Sequence, residues 1–353
     1  MILPATADDD RAGSTSPTSA GSLRSVHVVG NIQLDVLANP VTALPEPGGD
    51  TVIDRIDIRP AGAAGNVSLA LHALGCPHRL FGLLGDDFAG QLVHAHLTRL
   101  GLADDVRIVP GAATGVSIAL EAPDRERAFW TAHGVLQRQT TDALGADCLR
   151  ADLLVITGYF TVPAFRQAPV RMLHQARETD AFILFDTGWD TDSWTGAARE
   201  EILSLLPLVD VFLPNEAEAL ALTGCTDPTA AALDLHATCR GWVAVKLGHS
   251  GLVAVSPDGN LWQIPAPSVP TIVDTTGAGD SLSAGLVSHL AAGHDVLESL
   301  ELGVRVASTV VGRDSSHRYP SRTEVLPGAG PAVRLTGGAS PDDEAYGLDG
   351  CAI

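Results

Sequence analysis

The chain has 353 residues, 45% of them hydrophobic, and 42 acidic against 22 basic residues give it a formal net charge of −20. This charge argues against nucleic acid or an anionic membrane as a partner, although backbone amides and a metal ion can still bind a phosphorylated ligand locally. No apolar run approaches the roughly 18 residues of a membrane span, so no membrane partner is expected.

The two ends of the chain are predicted to be disordered tails. Residues 1–24 lack an apolar core of signal-peptide length, and residues 328–353 are rich in Gly, Pro and Asp. One large α/β domain is therefore expected over residues 25–327. The five cysteines contain no CxxC pair, and their odd number favours a reducing compartment, so the protein is expected in the cytoplasm.

Apolar strands alternate with helices along most of the chain. The first strand is predicted at SVHVVG (residues 25–30), and VSLALHALG is predicted to be a helix that ends at Gly75. From about residue 150 the alternation becomes regular, and it ends in helices from about Asp280 and over about Val296–Val311. Near-continuous apolar strands between helices predict a mostly parallel sheet covered on both faces, with ligands beyond the carboxyl ends of the strands.

Two stretches break this rhythm, at about residues 35–60 and 115–130. Their apolar and polar residues alternate, which predicts exposed strands in a small second sheet. Edge strands of this kind often pair between subunits. The apolar residues on one of these strands predict a homodimer through the small sheet: Val52, Ile53, Ile56 and Ile58.

Residues 274–285, DTTGAGDSLSAG, place Gly277, Ala278 and Gly279 between a strand and a helix, directly before Asp280. Small residues at such a junction let backbone N–H groups turn toward an anion, and the helix dipole reinforces them. An ordinary tight turn with an N-cap Asp is an equally good interpretation of the tripeptide alone. The motif has neither the GK[ST] of a P-loop nor the G-x-G-x-x-G spacing of a dinucleotide site. A carboxylate at Asp280 could accept a proton from a hydroxyl that attacks a bound phosphoryl group.

This segment resembles the carboxyl-terminal motif of the ribokinase-like (PfkB) carbohydrate kinases. AGAAGNVS, followed by Gly75 and by Gly85 in GLLGDD, resembles the amino-terminal motif of the same family. Because both motifs occur in the family's order, the resemblance extends over roughly residues 25–326. It implies ATP-dependent phosphorylation of a sugar or sugar-like alcohol, on a three-layer α/β sandwich with a small β-sheet lid.

The resemblance also implies a set of catalytic and substrate-binding residues. Asp280 is expected to be the general base, and the amides of Gly277, Ala278 and Gly279 are expected to hold the transferring phosphoryl group. Four residues are expected to bind substrate hydroxyls: Gln33, Asp35, Gly62 and Asn66. Asp35 follows the first strand, where a carboxylate can accept two hydroxyl hydrogens. Its alternative interpretation is a surface turn residue.

The nucleotide and Mg²⁺ sites are likewise implied by the resemblance. Asn215 and Glu218 are expected to organise Mg²⁺ and its waters near the phosphates, although the same pair is close to a capping box and both roles can hold in part. KLGHSG resembles the family's ATP segment, in which Gly248 and Gly251 allow close approach of the nucleotide. Lys246 is the only lysine of the chain and is expected near a phosphate.

A monovalent-cation site is a further implication. Asp274 and Thr276 match positions that often ligate such a cation, for example K⁺. The partner loop reads GRDSSHRYP, with Asp314 where the family pattern expects Gly, and this departure puts the cation in doubt.

Two alternatives to a sugar kinase stay open. A nucleoside kinase of the same fold would need an apolar slot for a base. Phe129 and Trp130 could line such a slot, or they could instead pack within the lid. A catalytically silent nucleotide-binding regulator is the alternative from another class, and the intact Asp280 argues against it. The sugar is not identified by these motifs, because selectivity lies in the lid and in loops such as residues 186–190.

Overall fold

The computed structural model describes residues 24–335, except residues 45, 123–126, 191, 193 and 240. Most of both predicted tails lies outside these residues. The strands in the described part are, in chain order, β1 (Val26–Gly30), β2 (Gln33–Asn39), β3 (Arg55–Ala61), β4 (Arg79–Gly85), β5 (Val106–Val109), β6 (Val116–Glu121), β7 (Arg127–Ala132), β8 (Leu153–Thr157), β9 (Phe182–Phe185), β10 (Val211–Phe212), β11 (Trp242–Lys246), β12 (Leu252–Val255), β13 (Leu261–Ile264) and β14 (Val333–Arg334).

Helices lie between many of these strands in the chain. In the same described residues they are α1 (Ala63–Ala73), α2 (Phe88–Arg99), α3 (Thr141–Leu144), α4 (Pro169–Arg177), α5 (Gly196–Leu205), α6 (Glu216–Thr223), α7 (Pro228–Cys239), α8 (Ala278–Ala291) and α9 (Val296–Val311). None of the helices described is long and apolar enough to cross a membrane.

The large sheet has the order β14-β13-β12-β11-β10-β9-β8-β1-β4-β5 in the described residues. Its pairs from β5 to β11 are parallel, and those from β11 to β14 are antiparallel. This topology confirms the predicted α/β class with a mostly parallel sheet. It brings the carboxyl ends of β9, β10 and β11 side by side, so the residues that follow these strands meet at one edge.

Both faces of the large sheet are buried. Leu154 and Ile156 of β8 contribute to the core on one face, and Leu153 and Val155 contribute to the core on the other. Full burial of one such side chain stabilises the fold by about 1.5–3 kcal/mol relative to exposure. Burial on both faces is the reason why these strands are continuous apolar runs rather than alternating ones.

The small sheet has the order β3-β2-β6-β7, with a parallel β2–β6 pair between two antiparallel pairs. We call it the lid. Its strands lie in the two stretches that the alternation predicted, but β3 begins only at Arg55. Arg55 pairs with Asn39, the last residue of β2, so residues 50–54 extend beyond the end of the partner strand.

The two faces of the lid have different chemistry. The inner face carries Asp35 and Arg59, which pair across β2 and β3, and Arg59 contacts the body of the protein at Asp274. The outer face carries a row of apolar side chains that are opposite each other in register, namely Ile58, Val36, Ile118 and Trp130. Ile58 and Trp130 are 57% and 58% exposed. Neighbouring Phe129 and Trp130 therefore lie on opposite faces of the lid.

Candidate active site

Helix α8 begins in the glycine turn that the sequence singled out. Gly277 occupies the N-cap position with φ +70°, in the left-handed region, and a Cβ there would lie 3.1 Å from Asn66 Nδ2. The left-handed φ favours glycine at this position, and the close approach of Asn66 leaves little room for a side chain. Asp280 lies in the first turn rather than at the N-cap, so its carboxylate is not used to cap the helix. It accepts a hydrogen bond from Asn66 Nδ2 at 2.8 Å.

The backbone N–H groups just before Asp280 belong to the same turn. The N–H of Ala278 donates to the Thr275 carbonyl at 3.2 Å, a long hydrogen bond that holds the turn closed. The next N–H groups of a helix have no partner within the helix, and the helix dipole adds partial positive charge there. The turn therefore places N–H donors and a carboxylate on one short segment.

Burial raises the pKa of Asp280 to about 7. The hydrogen bond from Asn66 and the charges of Lys246 and Arg318 act against this rise, whereas the charge of Asp186 adds to it. A carboxyl group that titrates near neutrality is suited to accept a proton in general-base catalysis.

The amide of Asn66 is held in one orientation by Tyr319. The hydroxyl of Tyr319 donates to Asn66 Oδ1 at 3.0 Å, which leaves Nδ2 directed at Asp280. Asn66 lies in the first turn of α1, whose N-cap is Gly62 with φ +89°. A Cβ on Gly62 would lie 2.4 Å from the Asn31 carbonyl, so glycine allows α1 to approach the end of β1.

Asp35 lies within strand β2 on the inner face of the lid and is only 8% exposed. This position differs from the surface turn that was its alternative interpretation. Gln33 Nε2 donates to Asp35 Oδ1 at 2.9 Å, and Asn31 Nδ2 donates to Gln33 Oε1 at 3.0 Å. Burial raises the pKa of Asp35, against the hydrogen bond from Gln33 and the charges of Arg59 and Arg318. These three polar side chains form a connected hydrogen-bonded row.

Lys246 ends strand β11 and forms a buried ion pair. Its Nζ lies 2.6 Å from Asp186 Oδ2, and the exposed fractions of the two side chains are 12% and 10%. Burial lowers the pKa of Lys246, but the charges of Asp186 and Glu218 outweigh burial and raise it, so the ammonium keeps its proton. A Cβ on Gly279 would lie 3.4 Å from Nζ, which places the ammonium beside the glycine turn.

Asn215 and Glu218 form a complete capping box at the start of α6. Asn215 Oδ1 accepts from the Glu218 amide at 2.9 Å, and Glu218 Oε2 accepts from the Asn215 amide at 2.8 Å. Burial raises the pKa of Glu218 to about 7, and the charge of Asp186 adds to the rise. Three carboxylates, Asp186, Glu218 and Asp280, thus act electrostatically on the single ammonium of Lys246, and this excess negative charge would favour a nearby divalent cation.

No group of three His, Cys, Asp or Glu side chains converges as metal ligands among the residues described. A dication at this place would therefore need phosphate oxygens and water among its ligands. Mg²⁺ is commonly bound in this way, through one or two carboxylates together with substrate phosphates.

A cavity of about 640 Å³ lies beside the glycine turn, and Thr275, Ala278 and Gly279 are part of its lining. Lys246 and three glycines, Gly248, Gly251 and Gly279, are among its lining residues. Its remaining wall is mainly apolar and includes Val269, Ile272, Leu282, Val304 and Val311. A planar base fits an apolar wall and phosphates fit a lysine and helix amides, so the lining matches the two ends of a nucleotide.

Comparison with known proteins identifies the family. The family model described as pfkB family carbohydrate kinase matches residues 23–322. The chain belongs to the pfkB family of carbohydrate kinases. It is therefore a phosphotransferase, and the predicted resemblance is confirmed.

Several individual relatives of this kinase are informative. An uncharacterized sugar kinase of Escherichia coli, YegV, is 28% identical over 86% of this chain and 93% of its own length. The bifunctional protein HldE of Pseudomonas savastanoi is 28% identical over 82% of this chain, which spans 60% of HldE. The structure of Arabidopsis thaliana ribokinase, complexed with ribose and ATP, superposes with a TM-score of 0.72 at 23% identity, covering 86% and 97% of the two chains. That likeness establishes the ribokinase-like fold.

Two arginine side chains contact the carboxylate of Asp274, which lies in a loop. Its Oδ2 accepts from Arg318 Nη1 at 2.5 Å and from Arg59 Nη1 at 2.9 Å. Its Oδ1 accepts from the Thr276 amide at 2.8 Å. Burial would raise the pKa of Asp274, but the two guanidinium groups outweigh it and hold the pKa well below its ordinary range.

The sequence missed three residues of this site, Arg59, Arg318 and Tyr319, and it named Asp186 only as part of a selectivity loop, without its ion pair with Lys246. Asp186 had a usable signal, because it directly follows β9 at the carboxyl edge of the parallel sheet. Tyr319 and Arg318 had none, because they reach the site from a loop more than thirty residues after Asp280 along the chain.

Proposed function

We propose that this kinase transfers the γ-phosphoryl group of MgATP to a hydroxyl of a sugar or sugar-like alcohol, with Asp280 as the general base. The observation that carries the proposal is the position of Asp280. Its carboxylate lies in the first turn of α8, hydrogen-bonded to Asn66, while the adjoining turn lines the 640 Å³ cavity. A hydroxyl and a nucleotide can therefore meet at this carboxylate.

The proposed acceptor side is the inner face of the lid. Asp35 would accept hydroxyl hydrogens of the substrate, because its buried carboxylate is already oriented by Gln33. Asn66 would contribute through its amide, and Gly62 would let backbone groups come close. A buried polar row of this kind suits a polyol, since each hydroxyl needs a partner when it leaves water.

The proposed donor side is the cavity. The nucleotide base would lie against its apolar wall near Gly248 and Gly251, and Lys246 would contact a phosphate oxygen. Glu218 would hold Mg²⁺ through water, together with Asn215 at the start of α6. The metal would supply positive charge that offsets the negative charge of the phosphates.

In the proposed reaction Asp280 removes the proton from the attacking hydroxyl as the oxygen–phosphorus bond forms. The amides of Gly277, Ala278 and Gly279 donate hydrogen bonds to the oxygens of the transferring group. The Ala278 amide would exchange its long hydrogen bond with Thr275 for one with the phosphoryl group. The Asp186–Lys246 pair keeps an ammonium beside the turn throughout.

The acceptor is to be identified by an ADP-release screen over pentoses, hexoses, keto-deoxy sugar acids and nucleosides. We expect turnover with a sugar or sugar acid, and we expect Asp280→Asn to slow it at least about a hundredfold. Turnover with nucleosides alone would favour the nucleoside kinase, for which Phe129, 53% exposed on the inner face of the lid, could stack on a base. ATP binding with no turnover of any acceptor would favour the silent regulator.

A further inference from the structure

The region around Asp274 differs in charge from the rest of the site. Near Lys246, carboxylates outnumber cations, and the pKa values of Glu218 and Asp280 are raised by burial and by the charge of Asp186. At Asp274 the balance is reversed, because two guanidinium groups contact one carboxylate oxygen. A monovalent cation, which the family pattern implies here, would meet a carboxylate whose charge is already balanced by these two guanidinium groups.

The arrangement leaves little for such a cation to bind. Both oxygens of Asp274 are engaged, and the hydroxyl of Thr276 is a buried oxygen without a partner in the described residues. A K⁺ ion placed beside these two guanidinium groups would be repelled by their positive charge. Asp274 and Thr276 therefore do not fit a cation while Arg318 is in place.

Arg318 is built into the loop as a buried cation. Its side chain is 4% exposed, and its guanidinium carbon lies 5.8 Å from the centre of the Tyr319 ring. A Cβ on Gly277 would lie 3.4 Å from Arg318 Nη2, so this end of the guanidinium group faces the glycine turn. Nε and Nη2 are buried and have no partner in the described residues. Buried unpaired donors of a charged group are costly, and a bound anion at the turn would satisfy them.

We propose that Arg318 takes the place of a monovalent cation, and that phosphoryl transfer by this kinase does not depend on K⁺. Arg318 acts as a positioning residue: it fixes Asp274, which holds the Thr276 amide and thereby the backbone leading into the Gly277 turn. Its permanent charge raises the electrostatic potential where the phosphoryl oxygens bind. This inference rests on the proposed phosphoryl transfer at that turn.

The first test uses the unmodified kinase. Affinity for the magnesium complex of a non-hydrolysable ATP analogue is measured by calorimetry in KCl and in tetramethylammonium chloride at equal ionic strength. ADP release with the acceptor found by screening is measured in the same two salts. We expect the affinity to be the same in the two salts within about twofold, which is about 0.4 kcal/mol, and we expect the same of the rate of ADP release. An increase of about fivefold or more in either quantity with K⁺ would overturn the inference while leaving the kinase function intact.

The second test removes the charge. Arg318→Met should lower kcat at least about tenfold, and guanidinium ion should restore activity to Arg318→Ala, because the substitution leaves a cation-sized space beside Asp274. Arg313→Met is the matched control on the same loop, since Arg313 pairs instead with Glu324. Equal losses in both Met variants, or no restoration by guanidinium ion, would mean that the loop is only structural. Should Arg318→Met fail to fold, the comparison of the two salts on the unmodified kinase still tests whether phosphoryl transfer depends on K⁺.

Discussion

Asn66 Nδ2 donates a hydrogen bond to Asp280 Oδ2 at 2.8 Å, and this contact joins the first turn of α1 to the first turn of α8. The two residues are 214 positions apart in the chain, and each lies in one of the two motifs that identified the family. The contact therefore connects the expected acceptor side of the site with the expected base.

Asp280→Asn should lower kcat by at least about a hundredfold, because the amide keeps the shape of the side chain and removes the base. Affinity for the ATP analogue should stay close to that of the parent, since the amides of the turn are unchanged. Asp295→Asn is the matched control, because Asp295 caps α9 at an exposed position and Asn also caps helices. Near-normal kcat in Asp280→Asn would show that Asp280 is not the base.

The pH dependence of kcat/KM should report Asp280. The base acts when it is ionised, and burial raises its pKa to about 7, so kcat/KM should fall as pH drops through about 7. The charge of Lys246 lowers this pKa, so Lys246→Met should shift the acidic limb of the profile, the fall in kcat/KM at low pH, to higher pH. Arg313→Met, which removes a positive charge elsewhere, should leave the limb in place. A limb that stays near pH 4 in the parent kinase would contradict the assignment.

Glu218→Gln should stabilise the kinase at about pH 8 and lose this advantage at about pH 5. The folded-state pKa of Glu218 is raised from 4.5 to about 7, chiefly by burial, so the folded protein binds a proton that the unfolded chain has already lost between these values. Ionisation thus lowers stability as pH rises, by roughly 1–3 kcal/mol, and Gln avoids it. Gln also preserves a capping box. Thermal melts at the two pH values compare it with Glu216→Gln, the same substitution at an exposed neighbouring position.

The same Glu218→Gln variant tests the metal role. If Glu218 holds Mg²⁺ through water, the Mg²⁺ concentration for half-maximal activity should rise several-fold, because a neutral amide attracts the hydrated ion less strongly. The titration is read as ADP release at saturating nucleotide. An unchanged Mg²⁺ requirement would leave Glu218 with the capping role alone.

Asp35→Ala should weaken use of the alcohol substrate and leave the KM for MgATP nearly unchanged. Loss of hydrogen bonds to a buried charged group costs about 1.5–3 kcal/mol, which corresponds to roughly 10- to 150-fold in kcat/KM for the sugar. Asp57→Ala is the control on the same inner face, where Asp57 contacts Ser315 instead. Equal effects on sugar and nucleotide would indicate that Asp35 only supports the lid.

The apolar outer row of the lid should form a homodimer interface. Trp130→Glu places a charge on this row and should convert the dimer to a monomer at micromolar concentration, as measured by light scattering. Phe129→Glu is the matched control, because Phe129 lies on the inner face; it should keep the dimer and impair the use of the acceptor. A parent protein that is monomeric in the same measurement would refute the prediction.

The amino-acid pattern by itself determined the class of fold, the two sheets and the glycine turn before Asp280. These features depend on local periodicity and on short segments, such as the double-sided burial of β8 and the alternation along β6. Only the tertiary structure decided which charged and hydrogen-bonding groups meet. Arg318 lies against Asp274, Asp186 against Lys246, and Tyr319 against Asn66, although 44, 60 and 253 positions separate them. Such pairs are set by how loops converge at one edge of the sheet, because electrostatic and hydrogen-bond energies depend on distance in space and not on spacing along the chain.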